Sequence, residues 1–373
     1  MRRHWHGDLL PDDHTGLMFP NNLCRQSGGC FLSGDVRTSE TMALASVHTL
    51  FLREHNRIAR KLREINQYWS GETIYQETRK IVGAVLQKIT YEEFLPVLLG
   101  YNGMPRYTGY KYWINPGVLN SFATAAFRYG HSTIRPFFDI TDEKFRPVGA
   151  PIPLKHIFFN NTFINRHGIE PLLFGICANG SEIVDRSIAT DLLEHLFERP
   201  NSPGLNLIAL NIQRGRDHGL PGYNAFRKLC RLSNARSFKD TSREIRSQQN
   251  RNVLARLYND NPSIADLWVA GIAETPLPGT ELGPTFTCII KKQFSRSRDG
   301  DRFFYERSGV FTRSQLREIK KTSLGRILCD NLRTRRVMTM QGSVFRAANY
   351  NARRVPCTRI PGIDFRRWKC KFF

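Results

Sequence analysis

The stretch ETMALASVHTLFLREHNRIARKLREIN, residues 40–66, decides the fold class. Leu44, Phe51, Ile58 and Ile65 recur at intervals of seven, and Val47 and Leu62 fill the same stripe. Apolar residues at that spacing lie on one face of a helix, so a long amphipathic helix is predicted over 40–66, with Thr38 or Ser39 as its N-cap. Working outward, a second helix follows Ser70-Gly71, with Ile74, Ile81, Val85 and Ile89 on its buried face. That region ends at Gly100 and Asn102-Gly103, after Pro96. A third helix is predicted over 117–130 through Val118, Phe122, Ala125, Ala126 and Tyr129, running into His131 just beyond Gly130. Further helical patterns cover roughly 181–197, 222–232, 241–258, 264–271, 284–297 and 313–319. Strand-like alternation is scarce and short, and no internal repeat or low-complexity tract occurs. The fold class is therefore mainly α, with very little β. Upstream, residues 1–36 are rich in Gly, Pro, Asp and Asn and carry two close cysteines, which predicts an irregular, stapled lead-in. Residues 37–345 read as the helical core and 346–373 as a basic C-terminal segment.

The chain has 373 residues, of which 40% are hydrophobic and 25 are Phe, enough to bury a large core and to exclude overall disorder. This length fits one large domain or two. The apolar runs are short pieces such as Phe94–Leu99, far from the 18 residues a membrane-spanning helix requires. The start, Met1-Arg2-Arg3-His4-Trp5-His6, has no apolar stretch behind it, so no signal peptide is visible in this chain. Lys and Arg number 55 against 33 Asp and Glu, a net charge of +22. Such an excess raises nucleic acid or an anionic surface as partner. The basic residues are nevertheless spread along the chain. The modest clusters at 243–256 and 353–371 lack interleaved aromatics, so nucleic-acid binding is not the expected function.

The eight cysteines, at 24, 30, 177, 230, 288, 329, 357 and 370, contain no C-x-x-C pair, which weakens zinc and redox readings. Their even number and two glycosylation acceptors, Asn160-Asn161-Thr162 and Asn179-Gly180-Ser181, lean toward a secreted, disulfide-forming glycoprotein. A chain that begins in the middle of a longer protein would reconcile this with the lack of a leader.

Few residues carry a chemical signal on their own. Arg37 and Glu40 stand three apart at the predicted helix start, where the helix dipole favours a carboxylate, although from spacing alone an ordinary cap with a surface ion pair is the better explanation. His48 and His55 are seven apart, not the four of a zinc-protease helix, and read as structural. His4, His6 and His14 could bind a transition metal, but terminal histidines usually do not. His131 follows Phe127-Arg128-Tyr129-Gly130, where the glycine lets a planar group approach and Arg128 offers a charge for a carboxylate. Imidazole on iron and guanidinium on a propionate would suit a haem, while a histidine at a helix end is ordinarily structural. The run from Asn211 to Asn224 packs polar, Gly and Pro residues between apolar stretches, which marks a site or a sharply specified turn.

Four segments together, Leu50–Arg57, Phe127–His131, Asn211–Asn224 and Arg298–Phe303, resemble the animal haem peroxidases, and the similarity runs over roughly residues 8–368. The resemblance implies a single mainly α domain around a buried haem b, over residues 1–373 as far as the chain extends. His131 matches the proximal iron ligand, and Asn211 the residue accepting a hydrogen bond from its other ring nitrogen, which orients the imidazole. Arg37 matches the distal arginine that assists peroxide cleavage, and Glu40 the glutamate esterified to a haem methyl group. Arg128 and Arg214 match residues near the propionates. Thr41 stands where one branch of the family has a haem-bonded methionine, so no sulfonium link is expected. The implied disulfides are Cys24–Cys30, Cys230–Cys288 and Cys329–Cys357, leaving Cys177 and Cys370 free or available to another chain.

The family's distal histidine, its halide-site glutamine, the aspartate of its second ester and its calcium ligands come from a segment before the start of this chain. The resemblance therefore implies an N-terminally incomplete domain, completed by a missing part or by a separate light chain. Its expected reaction reduces hydrogen peroxide and oxidises halide, thiocyanate or a phenol, in a secreted or granule compartment. Two alternatives stay open: an inactive peroxidase-like extracellular structural or interaction module, and a basic nucleic-acid or glycan binder unrelated to haem. A disulfide-linked oligomer through Cys177 or Cys370 is also open.

Overall fold

The computed structural model describes residues 2–4, 7–13, 24, 29–334, 338–346 and 353–370. Its α-helices are α1 (Met42–Ile65), α2 (Gly71–Ile89), α3 (Leu95–Leu99), α4 (Asn120–Thr124), α5 (Thr162–His167), α6 (Glu170–Ala178) and α7 (Thr190–Leu193). Beyond them come α8 (Leu207–Asp217), α9 (Tyr223–Leu229), α10 (Gln248–Leu257), α11 (Leu267–Ala273), α12 (Pro284–Asp299), α13 (Arg313–Lys321) and α14 (Leu324–Asn331). Among the described residues, strand is confined to three antiparallel ribbons: β1 (Arg2–His4) with β2 (Gly7–Leu9), β3 (Phe137–Phe138) with β4 (Ile152–Pro153), and β5 (Thr339–Gln341) with β6 (Arg354–Pro356). The mainly α expectation holds. His4 lies on β1 by its backbone, whereas His6 and His14 lie outside the described residues.

The chain divides into two compact units. One is Met1–Glu93, Pro136–Gly180 and Ser308–Phe373, and the other is Phe94–Arg135 and Ser181–Arg307. In the first, α2, α5, α6 and α14 pack on α1. Thr41, rather than Thr38 or Ser39, caps α1, its Oγ1 accepting from the Leu44 amide at 3.2 Å. The inward face also departs from the predicted stripe. Leu50, Ile58 and Leu62 are buried, each worth about 1.5–3 kcal/mol, but Leu44 and Val47 are 36% and 40% exposed. Arg53 and Glu54 turn inward instead. The Arg53 guanidinium meets the Glu170 carboxylate at 2.6 Å and the Asn331 carbonyl at 3.2 Å. Glu54 accepts from Arg57 at 2.7 and 2.8 Å and from the Asn331 amide at 2.7 Å. Apart from Arg57 on α1 itself, these partners sit on α6 and α14, far away in sequence, which is why a local pattern could not place the charges inside.

In the second unit the predicted helix 117–130 is broken. After α4, Ala125 leaves helical geometry (φ −138°, ψ −70°) and a 3-10 turn, Ala126–His131, follows. The Phe122 and Phe127 rings stack at 4.5 Å. A continuous helix would set residues five apart about 140° round its axis and forbid that stack. The predicted helix 181–197 shrinks to α7, because Asp185 closes a turn onto the Ser187 amide at 2.7 Å and the Glu182 amide goes to Thr133. That over 241–258 shrinks to α10, capped by the Ser247 hydroxyl, while Thr275 takes up the backbone of Glu244 and Arg246. Helices α5, α6, α8 and α14 had no predicted counterpart. The run from Asn211 is helical to Asp217, and its turn comes only at Gly219 (φ +62°). The Arg298–Phe303 segment is structural. Asp299 meets Arg298 and Lys111 at 2.8 Å each, and a side chain on Gly300 would come within 2.4 Å of the Ile114 carbonyl oxygen.

Cys24–Cys30, Cys230–Cys288 and Cys329–Cys357 are bonded as the resemblance implied. Cys177 is free and buried, its thiol pushed up to about 12 by burial, and Cys370 is free and exposed. Among the described residues no helix is long and apolar enough to cross a membrane, and no cluster of three or more His, Cys, Asp or Glu is placed to hold a metal ion.

Candidate functional site

Four of the sequence-predicted residues come together in the second unit. His131 ends the 3-10 turn, and that turn is fastened by the Trp268 indole of α11, which donates to the Arg128 carbonyl at 3.2 Å. Asn211, fully buried on α8, presents its amide to His131 Nδ1 at 2.9 Å. The Asn206 side chain caps α8 at the Ala209 amide (2.9 Å), which sets the helix register that aims Asn211 at the imidazole. Trp268 carried no signal in the sequence, since a tryptophan in an apolar stretch reads simply as core.

The donor set corrects one expectation. Arg128 Nη1 donates to Asn211 Oδ1 at 3.1 Å, and a guanidinium can only donate, so the amide oxygen faces Arg128. Asn211 Nδ2 then faces His131 Nδ1, and Asn211 donates to the imidazole rather than accepting from it. If Arg128 turned to an external anion, the amide could turn over and accept from Nδ1.

The electrostatics of this cluster are unusual. Burial, and then the adjacent Arg128 charge, push His131 down to about 4, so the imidazole is neutral at physiological pH. Arg128 is itself lowered, first by burial and then by repulsion from Arg214. Among the described residues the half-buried Arg128 guanidinium bonds only the Ala123 carbonyl and Asn211, and no carboxylate there neutralises it or the exposed Arg214. A side chain on Gly130 would find its nearest neighbour, the Thr133 hydroxyl, 4.0 Å away, so the backbone beside His131 is open to a flat group. Once the Asn211 amide turns over and Nδ1 carries the proton, a neutral imidazole whose Nε2 makes no hydrogen bond among the described residues, next to two guanidiniums without a carboxylate partner, fits a metalloporphyrin with two carboxylates. The fit is of charge and donor type.

Arg37 and Glu40 belong to the first unit. They precede α1 rather than opening it, so the helix-dipole argument for Glu40 does not apply. Their turn is closed locally: Asp35 accepts from the Arg37 amide at 2.8 Å, Thr38 Oγ1 donates to the Asp35 carbonyl at 2.8 Å, and Ser39 Oγ accepts from Phe31 at 2.9 Å. The Arg37 side chain, 63% exposed, is bidentate to Asp35 at 2.8 and 3.0 Å. The Glu40 carboxyl is raised by burial, with Arg37 opposing the shift. His48 is half-buried and lowered by burial, and His55 packs against Tyr75 at 5.8 Å, placements that suit structural histidines.

A family model for the animal haem peroxidases matches residues 1–345. A peroxidasin homolog of Homo sapiens is 46% identical over 347 residues, covering 91% of this chain and 23% of that protein. An eosinophil peroxidase of Mus musculus is 44% identical over 352 residues, covering 92% of this chain and 48% of its own. The chain thus spans half or less of the length of these curated relatives. Among solved structures, peroxidase A from Dictyostelium discoideum superposes with a TM-score of 0.80 at 36% identity, covering 89% of this chain and 63% of that one. A fatty acid alpha-dioxygenase of Arabidopsis thaliana, at 19% identity and a TM-score of 0.69 over 88% and 58% of the two chains, shares the fold. With a family match over nearly its whole length and relatives at this identity, the chain belongs to the animal haem peroxidase family.

Proposed function

We propose that this chain is part of a haem-dependent peroxidase that reduces hydrogen peroxide and oxidises a halide, thiocyanate or phenolic donor, with residues 1–373 forming part of one haem peroxidase domain. The observation that carries this reading is the uncompensated pair Arg128 and Arg214 beside the neutral imidazole of His131. Haem b, when bound, supplies the redox chemistry. His131 would hold the iron through Nε2, with the Asn211 amide turned over to accept from Nδ1–H and so fix the ring plane. Arg128 and Arg214 hold the propionates, with Trp268 keeping the Arg128 backbone in place. Arg37 would offer a fixed positive charge to the peroxide oxygens, once its guanidinium leaves Asp35. Glu40, whose burial favours a neutral carboxyl, is the group for an ester to the porphyrin. Three disulfides support a secreted setting. Calcium and a partner light chain belong to the same family-level reading.

One observation favours a second reading, an inactive peroxidase-like extracellular module. Arg37 is tied to an exposed aspartate rather than free. An absorption spectrum of the chain supplied with haem, followed by peroxide and a phenolic dye, separates the two. A stoichiometric Soret band with dye oxidation well above free hemin supports the enzyme. A stoichiometric band without turnover supports the inactive module, and no band counts against His131 as ligand in this chain. Glu40→Gln should leave all the haem extractable into acidified organic solvent, and extraction equal to that of the parent would remove the ester.

A further inference from the structure

A cavity of about 270 Å³ opens between α8, α10 and α11 in the second unit, and the haem chemistry above does not use it. Its wall is apolar, built from residues such as Ile212, Val253, Leu254 and Trp268, with Leu257 at the rim 66% exposed. Only two of its lining residues are polar, Arg186 and Asn250. The Arg186 guanidinium and the Asn250 carboxamide make no hydrogen bond or ion pair to any described residue. An apolar cavity with a few convergent polar groups is the usual form of a small-ligand site. Here the exposed Arg186 guanidinium and the half-buried Asn250 carboxamide border a hydrocarbon wall.

We propose that this cavity binds a single-chain amphiphile with a carboxylate head, the alkyl chain lying against α10 and α11 and the head on Arg186. At roughly 30 Å³ per heavy atom, by analogy with water's share of the liquid, the volume holds about nine such atoms, the size of a carboxylate of seven or eight carbons. Charge decides the head group. A guanidinium without a counterion recognises a carboxylate bidentately, and Asn250 can donate to it as well. The cavity shares α8 and α11 with the residues that support the imidazole. Ile212 follows Asn211 on α8, and the Trp268 indole that holds the Arg128 carbonyl forms part of the wall, so occupancy is expected to be felt at both contacts.

The test is calorimetric titration of the whole chain, without haem, with octanoate below its micellar range, alongside octanol and octylamine. Octanoate should bind at one site, with octanol about tenfold weaker and octylamine undetectable. Arg186→Gln should cost the same factor of about ten, and Val253→Trp, which fills the cavity from the rim, should abolish binding while leaving the circular dichroism spectrum unchanged. The Trp268 indole proton, assigned in the nuclear magnetic resonance spectrum through Trp268→Phe, should shift on octanoate addition. No saturable octanoate binding, octanol binding as tight as octanoate, or an unaltered affinity in Val253→Trp would each overturn the proposal. These readouts need no haem, so failure of the peroxidase reading leaves them intact.

Discussion

Arg53 in one unit is a buried guanidinium and Arg128 in the other a half-buried one, and they end differently. Arg53 finds Glu170 at 2.6 Å, and around it Glu54, Arg57 and Asp330 complete a set in which every acid faces a base. Arg128 finds a carbonyl and an amide, and the charge acting on it is that of another arginine; in the same unit the buried Asp299 does meet Arg298 and Lys111, while a second buried acid, Glu274, is bonded to neutral donors, Tyr223 and Thr285, at 2.6–2.8 Å. A charge met by its opposite is part of the fold. A charge left unmet within a well-hydrogen-bonded frame marks where an external anion belongs.

The comparison breaks most readily at His131. His131→Ala should abolish the Soret band of the chain supplied with haem, and a full band in that variant would detach the unmet charges from haem altogether. Next comes Arg53→Met, which strands the buried Glu170 carboxylate and should lower stability by about 3–5 kcal/mol in denaturant unfolding. A loss under 1 kcal/mol would mean that the first unit does not depend on its paired charges. Glu274 sharpens the contrast by pH. Burial pushes it up to about 7, above the ordinary glutamate value, so the folded chain holds a proton that the unfolded chain releases between those two values. Stability is then full below the unfolded value and falls as pH rises toward 7, by something of order 3 kcal/mol. Glu274→Gln should flatten the melting temperature across that window, and an unchanged slope would remove Glu274 as its source. The smallest effect is expected from Arg128→Gln and Arg214→Gln, each weakening haem affinity by about tenfold, as for the weaker charged hydrogen bonds. Equal affinity in the double variant would show that the unmet charges face something else.

The sequence made the helices legible where an apolar stripe was long enough, as in α1 and α2, and the triplet His131, Asn211 and Arg128 legible only through the order of four motifs. It failed where the determinant was remote. The inward turn of Arg53 and Glu54 depends on Glu170 and Asn331, residues 117 and 277 positions away. The break at Ala125 depends on a ring stack that periodicity does not encode. Helix α8 was hidden because Asn211 and Gly215 are poor helix formers that interrupt its short apolar stripe, and the register that makes Asn211 useful is set upstream by the Asn206 cap. The direction of the Asn211 hydrogen bond was equally invisible, since it follows from where one arginine spends its donors.

The bond between Cys230 and Cys288, 58 positions apart, has a mechanical side. Pulled from its two ends, the oxidised chain would fall short of the reduced one by about 200 Å of contour, the length of backbone shut inside the ring. Both α10 and α11 lie in that ring, Trp268 with them, so two walls of the apolar cavity must find each other within a closed loop whose ends never separate.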